Sequence, residues 1–146
     1  TEPKETYSWA TYKWGTSSNL TKYNTTDGKT TLDPEDDAAQ VHWGGKWRMP
    51  TEEEQQELID RCSWERTNLN GVIGYKVTGP NGNSIVLPIG IIKSKEDAFT
   101  DTYSMYWTST QEGSNANAFA LCYTSEIVAM VYERMRWCSS VLLVKN

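Results

Sequence analysis

The stretch Trp43-Gly44-Gly45-Lys46-Trp47-Arg48-Met49-Pro50-Thr51-Glu52-Glu53-Glu54 separates one predicted helix from the next and fixes the order of the elements around it. Two consecutive glycines are a strong helix stop, because they reach left-handed backbone conformations at no steric cost. Thr51 followed three residues later by Glu54 is a capping box, and Glu52 and Glu53 favour the positive end of the helix they open. Leu58, Ile59 and Cys62 then give that second helix one narrow apolar stripe, so one face packs and the other is solvated. Upstream, Asp33-Pro34 followed by Glu35, Asp36 and Asp37 predicts an N-cap, a first-turn proline and first-turn acids, with a short helix running to about His42.

The periodicity outside this centre is that of strands. Tyr7 to Trp14 alternate in a run of high β-propensity and predict an opening strand. Residues 15–30 are mostly Ser, Thr, Asn, Asp and Gly and read as a surface loop. Its two glycosylation sequons, at Asn19 and Asn24, are short patterns that arise easily in such a composition and carry no weight. From Trp64 the chain turns extended. Val72 to Val77 and Ser84 to Leu87 flank Gly79-Pro80-Asn81-Gly82-Asn83, a hairpin signal in which Asn81-Gly82 supplies the positive-φ turn. After an irregular stretch, Ile89 to Thr102, four more extended runs follow: Tyr106 to Thr110, Ala118 to Thr124, Ile127 to Glu133 and Ser139 to Lys145. Strand, helix, helix and then many strands, without βαβ alternation, predicts an α+β fold of two short helices packed on antiparallel strands. With 146 residues and no break in composition, residues 1–146 are read as one domain.

Composition narrows the function. A net charge of −5, with no run of Lys and Arg longer than a pair, lacks the footprint of a nucleic-acid binder. No segment approaches the ~18 apolar residues that a membrane-spanning helix needs, and the polar residues Thr1 to Thr6 are unlike a signal peptide. Seven Trp and eight Tyr against two Phe favour aromatic side chains with a polar handle, which sit where one end is buried and the other meets water. The three cysteines, Cys62, Cys122 and Cys138, lack zinc-ligand spacing. At most one bridge is available, Cys122 with Cys138, and free thiols are expected. The single His42 has no partner for acid–base chemistry, and the sequence contains no nucleophile elbow, zinc-protease, P-loop or dinucleotide motif. Glu52-Glu53-Glu54 reads as a solvated face plus helix-end electrostatics, and Asp33, Asp36 and Asp37 as capping groups too few for a calcium site. No enzyme, no cofactor and no metal is the resulting expectation.

Beyond these readings, Trp43-Gly44-Gly45-Lys46-Trp47-Arg48-Met49-Pro50-Thr51 resembles a motif of gut Bacteroidetes surface proteins. Matches continue at Tyr12-Lys13-Trp14-Gly15, Leu20-Thr21-Lys22-Tyr23-Asn24, Leu32 with Glu35 to Ala39, Asn70 to Val77, Asn81 to Pro88 and Tyr106-Trp107-Thr108-Ser109-Thr110. The resemblance implies a C-type-lectin-like fold, similar to that of formylglycine-generating enzymes and of the variable proteins of diversity-generating retroelements. It further implies an extracellular or bacterial cell-surface location, with a phage particle as another setting. The calcium-binding triplets of animal C-type lectins are absent, and no cysteine pair stands in the setting of a formylglycine-generating enzyme.

The C-terminal strands depart from the family pattern. Ala118, Phe119, Leu121, Tyr123, Ser125 and Val128 match its fixed residues, whereas the interleaved positions share neither size nor polarity. Alternation sends one set inward and the other outward. Cys122, Thr124, Glu126, Ile127, Ala129, Met130, Tyr132, Arg134, Arg136 and Trp137 are therefore the candidate recognition surface, for a protein or glycan ligand. The alternative is a structural or pilus-associated module whose strands pack on a neighbouring subunit. The sequence does not set the oligomeric state.

Overall fold

In a computed structural model the described residues are 9–16, 18–89, 104–112, 117–124, 127–134, 140–141 and 144–145. The chain is mixed α+β, with two helices and mostly antiparallel strands. Where an opening strand was expected, Trp9–Thr11 form a 3-10 turn, and Tyr7 and Ser8 lie outside the described residues. The polar loop contains a minimal hairpin of β1 (Gly15–Thr16) and β2 (Asn19–Leu20).

The first helix, α1 (Ala38–Trp43), starts later than the Asp33-Pro34 signal predicts. Asp33 instead begins a turn, its carbonyl accepting from the Asp36 and Asp37 amides at 2.8 and 3.0 Å. Asp37 is the N-cap, because its carboxylate reaches the Ala39 and Gln40 amides and also the Met49 amide, 2.9 Å away. Gly44 ends the helix at φ 63, its N–H donating to the Gln40 carbonyl. After β3 (Trp47–Arg48) comes α2 (Glu52–Arg61), which has both halves of the predicted capping box. Arg48 grips the capping Glu54 through two 2.7 Å bonds, which locks the start of α2 to β3 and holds the Glu54 carboxyl below its ordinary range.

β4 (Ser63–Leu69), β5 (Val72–Thr78) and β6 (Ser84–Pro88) form an antiparallel meander. The Asn81-Gly82 hairpin joins β5 to β6 as predicted. A second Asn-Gly pair, Asn70 at φ 53 and Gly71 at φ 86, turns β4 into β5. The C-terminal part supplies β7 (Ser104–Gln111), β8 (Asn117–Tyr123), β9 (Val128–Arg134), β10 (Ser140–Val141) and β11 (Val144–Lys145). They make a sheet in the order β10-β7-β8-β9, parallel only at β10-β7, while β11 pairs with β3.

The main core lies between the two larger sheets. Tyr75, Val77 and Leu87 from the meander meet Tyr106, Leu121 and Tyr123, with Ile59 and Cys62 of the α2 end and Trp64 packed alongside. Each such side chain taken from water contributes about 1.5–3 kcal/mol. The phenol oxygens are satisfied where the rings are buried: Tyr106 and Tyr123 both donate to the Pro88 carbonyl and Tyr75 to the Thr124 carbonyl. Burial pushes the Tyr106 and Tyr123 hydroxyl pKa values up.

One buried residue of α2 went unnoticed in the sequence. Gln55, at 0% exposure, accepts from the Leu121 amide at 3.0 Å and donates to the Trp107 carbonyl at 3.4 Å, beside the irregular register between Trp107 and Gln111. Gln55→Ala leaves a strand donor and a strand acceptor unpaired. Urea denaturation is expected to show a loss of about 2–4 kcal/mol, against less than about 0.5 kcal/mol for exposed Glu53→Gln.

Candidate ligand-binding surface

β8 is a central strand, and that decides the fate of the predicted surface. Register places Leu121 opposite Tyr106 and Met130, and Ala120 opposite Trp107 and Val131. Successive side chains leave opposite faces. Leu121 and Tyr123 enter the main core, whereas Ala120 joins buried Met105 in a second apolar cluster with Trp107, Cys122 and Val131. Both faces of β8 are therefore covered, and alternation along it does not separate core from solvent.

Of the ten predicted residues, Cys122, Thr124, Ala129 and Met130 are half-buried and Ile127 is exposed. Met130 is half-buried and packs against the edge of the main core. Ala120, which lies between the matching residues Phe119 and Leu121, is fully buried. Cys122 and Ala129 are register partners and half-buried, with Cys122 in the second cluster. Backbone pairing places Tyr132 opposite Phe119 and Arg134 opposite Asn117. Glu126, Arg136 and Trp137 lie outside the described residues.

Thr124 and Ile127 are the two brought together at an exposed place. They close the β8–β9 turn: the Thr124 amide donates to the Ile127 carbonyl at 2.8 Å, and the Ile127 amide to the Thr124 hydroxyl at 3.0 Å. The Tyr75 hydroxyl donates to the Thr124 carbonyl at 2.7 Å and fastens the turn to the meander. Ile127, at the start of the chain leading into β9, is 61% exposed. Of the cysteines, Cys62 is a free thiol, and Cys138 lies outside the described residues.

A second constellation is electrostatic. Asp33, Glu35 and Asp36 converge closely enough to hold a cation, and the ammonium of Lys22 lies among them, 2.6 Å from Asp33, 3.2 Å from Glu35 and 2.6 Å from Asp36. Asp33 and Asp36 are thus ion-pair partners, not helix caps as the sequence suggested. Asp36 also accepts from Lys13 and from the hydroxyl of fully buried Tyr23, while the Trp14 ring carries both lysine ammoniums at 4.3 and 4.6 Å. Burial opposes the Asp36 charge, but the bonds from Lys22, Tyr23 and Lys13 outweigh it and hold the carboxyl well below the usual range. Asp33 is lowered by Lys22 and Lys29. Burial and the bond to Asp36 push the Tyr23 hydroxyl up to about 12. The arrangement neutralises its own charge and orders residues 13–36. Tyr23 was legible only as a motif letter, because nothing local marks a tyrosine in a polar loop as buried.

Depressed carboxyl pKa values stabilise the fold above the unfolded value of about 4, and this contribution fades as the pH falls through the folded values. Urea midpoints measured between pH 7 and pH 3 should fall with pH for the native chain. Asp36→Asn should lie about 1–3 kcal/mol lower at pH 7 and show a flatter pH profile. An equally steep profile in the variant would mean that this network does not set acid stability.

No protein-family model, no curated protein and no solved structure matches the chain.

Proposed function

We propose that the chain is an extracellular binding domain of C-type-lectin-like fold, similar to the variable proteins of diversity-generating retroelements and carried on a bacterial surface. It grips a protein or glycan ligand and performs no chemistry. The observation that carries this reading is the β8–β9 turn, where a large apolar side chain, Ile127, stands 61% exposed on a backbone tied to the scaffold through Tyr75. An exposed aliphatic group on a preorganised turn loses little entropy on binding and gains the full burial of its surface.

The distribution of the resemblance supports the same reading. Pro50 of the W-R-M-P-T stretch accepts from the Ser109 amide of the Tyr106-Trp107-Thr108-Ser109-Thr110 stretch at 2.8 Å, and Thr110 accepts from the Glu52 amide at 3.0 Å. Residues that match the family pattern thus make the joints of the scaffold, whereas Thr124 and Ile127, among those that depart from it, stand at a turn. In this proposal the recognition surface is centred on that turn. Met130, half-buried against the main core, stands at its edge.

A screen of the chain against a glycan array and a surface-proteome pulldown, repeated with Ile127→Glu, tests the proposal. The variant is expected to keep its urea midpoint within about 0.5 kcal/mol and to lose about 1–2 kcal/mol of affinity for whatever the native chain retains. Retention of every partner at native affinity by the variant would remove the turn from the binding surface.

A further inference from the structure

The described residues carry a second exposed apolar site, an aromatic one, at the α1–β3 turn on residues the β8–β9 proposal does not use. Trp43 follows fully buried Ala39 by one helical turn, a spacing that ordinarily shares a packed face, yet the indole is 61% exposed and Val41 beside it 51%. The His42 ring meets the indole edge-on, with centroids 6.1 Å apart and planes at 77°. Gly44 and Gly45 follow at φ 63 and 60, and a Cβ on Gly45 would meet nothing within 4 Å, so the backbone next to the indole is uncovered. The Trp47 amide donates to the Gly44 carbonyl at 3.2 Å and closes the turn.

Two cations belong to the turn and to the strand that pairs with the one leaving it. Lys46 lies within the turn, and Lys145 is brought over the Trp47 ring by the β11–β3 pairing, its ammonium 5.7 Å from the ring centroid. Lys13, Lys22, Lys29, Arg48 and Arg61 all have carboxylate partners. Among the described residues Lys46 and Lys145 have none, as is also true of Arg66 and Lys76 on the meander, in a chain whose net charge is −5.

We propose that this turn binds a carboxylated pyranose, such as a sialic or uronic acid residue of a glycan. The C–H face of the sugar lies on the Trp43 indole, drawn by the negative face of the ring, and the open glycine backbone leaves room for its edge. The carboxylate meets Lys46 and Lys145. A second copy of the chain is a poorer occupant: a two-fold contact through Trp43 would bring the two lysines of each copy toward the same two lysines of the other, and a stable self-interface needs about 800 Å² per partner. A flat indole beside open backbone suits a ring more than an extended acidic peptide, whose side chains seek separate pockets.

Calorimetric titration with sialyllactose and with lactose, on the native chain, Trp43→Ala, Lys46→Gln/Lys145→Gln and Ile127→Glu, tests this site separately from the β8–β9 turn. Sialyllactose is expected to bind the native chain more tightly than lactose. Trp43→Ala should weaken it about tenfold or more, and the double lysine variant should remove the preference over lactose. All variants should keep the native thermal midpoint within a few degrees, and Ile127→Glu should bind sialyllactose as the native chain does. Equal binding of the two sugars, binding indifferent to Trp43→Ala, or loss only in Ile127→Glu would overturn the proposal. Trp43-dependent binding of a pentaglutamate peptide with no sialyllactose binding, or a dimer in solution abolished by Trp43→Ala, would also overturn it.

Discussion

The joint between the start of α2 and the irregular middle of β7 holds the two halves of the molecule together. The Pro50 carbonyl accepts from the Ser109 amide, the Thr110 hydroxyl accepts from Glu52, and Gln55 reaches the backbone at Leu121 and Trp107. From the other side, the Leu32 and Gln111 amides bond the Ser109 and Thr30 carbonyls. A sheet that broke its ladder here without these partners would bury unpaired amides at a cost of about 1–3 kcal/mol each. The irregularity is therefore stable only while α2 and the loop before α1 are in place, which makes helix, loop and sheet mutually dependent.

A similar coupling runs through the acidic run before α1. Asp36 and Asp37 are neighbours in sequence with different tasks. Asp36 gathers Lys13, Lys22 and Tyr23 and so closes the N-terminal loop, while Asp37 caps α1 and binds the Met49 amide on the far side of the Gly44-Gly45 turn. Charge-assisted bonds of this kind are directional, and together they fix where Trp43 and Trp47 stand. The placement of the exposed indole thus depends on buried acids more than on the short helix that carries it.

Local chemistry was legible where it acts over three or four residues. The Thr51–Glu54 box, the stop at Gly44 and the Asn81-Gly82 hairpin all follow from side-chain and backbone reach within one turn. What the sequence hid depends on distant chain. Asp37 won the cap over Asp33 because it also serves Met49, twelve residues on. Gln55 reads as a polar residue on a charged helix, and only the break in β7 gives its amide a buried partner. The burial of Ala120 on the candidate surface's side of β8 was hidden for the same reason. Alternation in β8 is real, but Met105, Trp107 and Val131 flank Ala120 and Cys122 in a packed cluster on the face that was read as outward, and no feature of residues 117–124 records those neighbours.

On these constraints the proposed recognition is better placed at turns than along strands in this fold. Substituting Ala120 or Cys122 perturbs a packed cluster, and substituting Met130 perturbs the main core, so variation there changes stability along with any contact. At Ile127 the turn conformation is carried by backbone groups and by the Thr124 hydroxyl, and the Tyr75 bond goes to a carbonyl that every residue type possesses. The side chain at 127 is free of structural duty. A scaffold held in this way by main-chain acceptors tolerates many side chains at the tip without losing its shape, which is the physical condition a changeable binding surface has to meet.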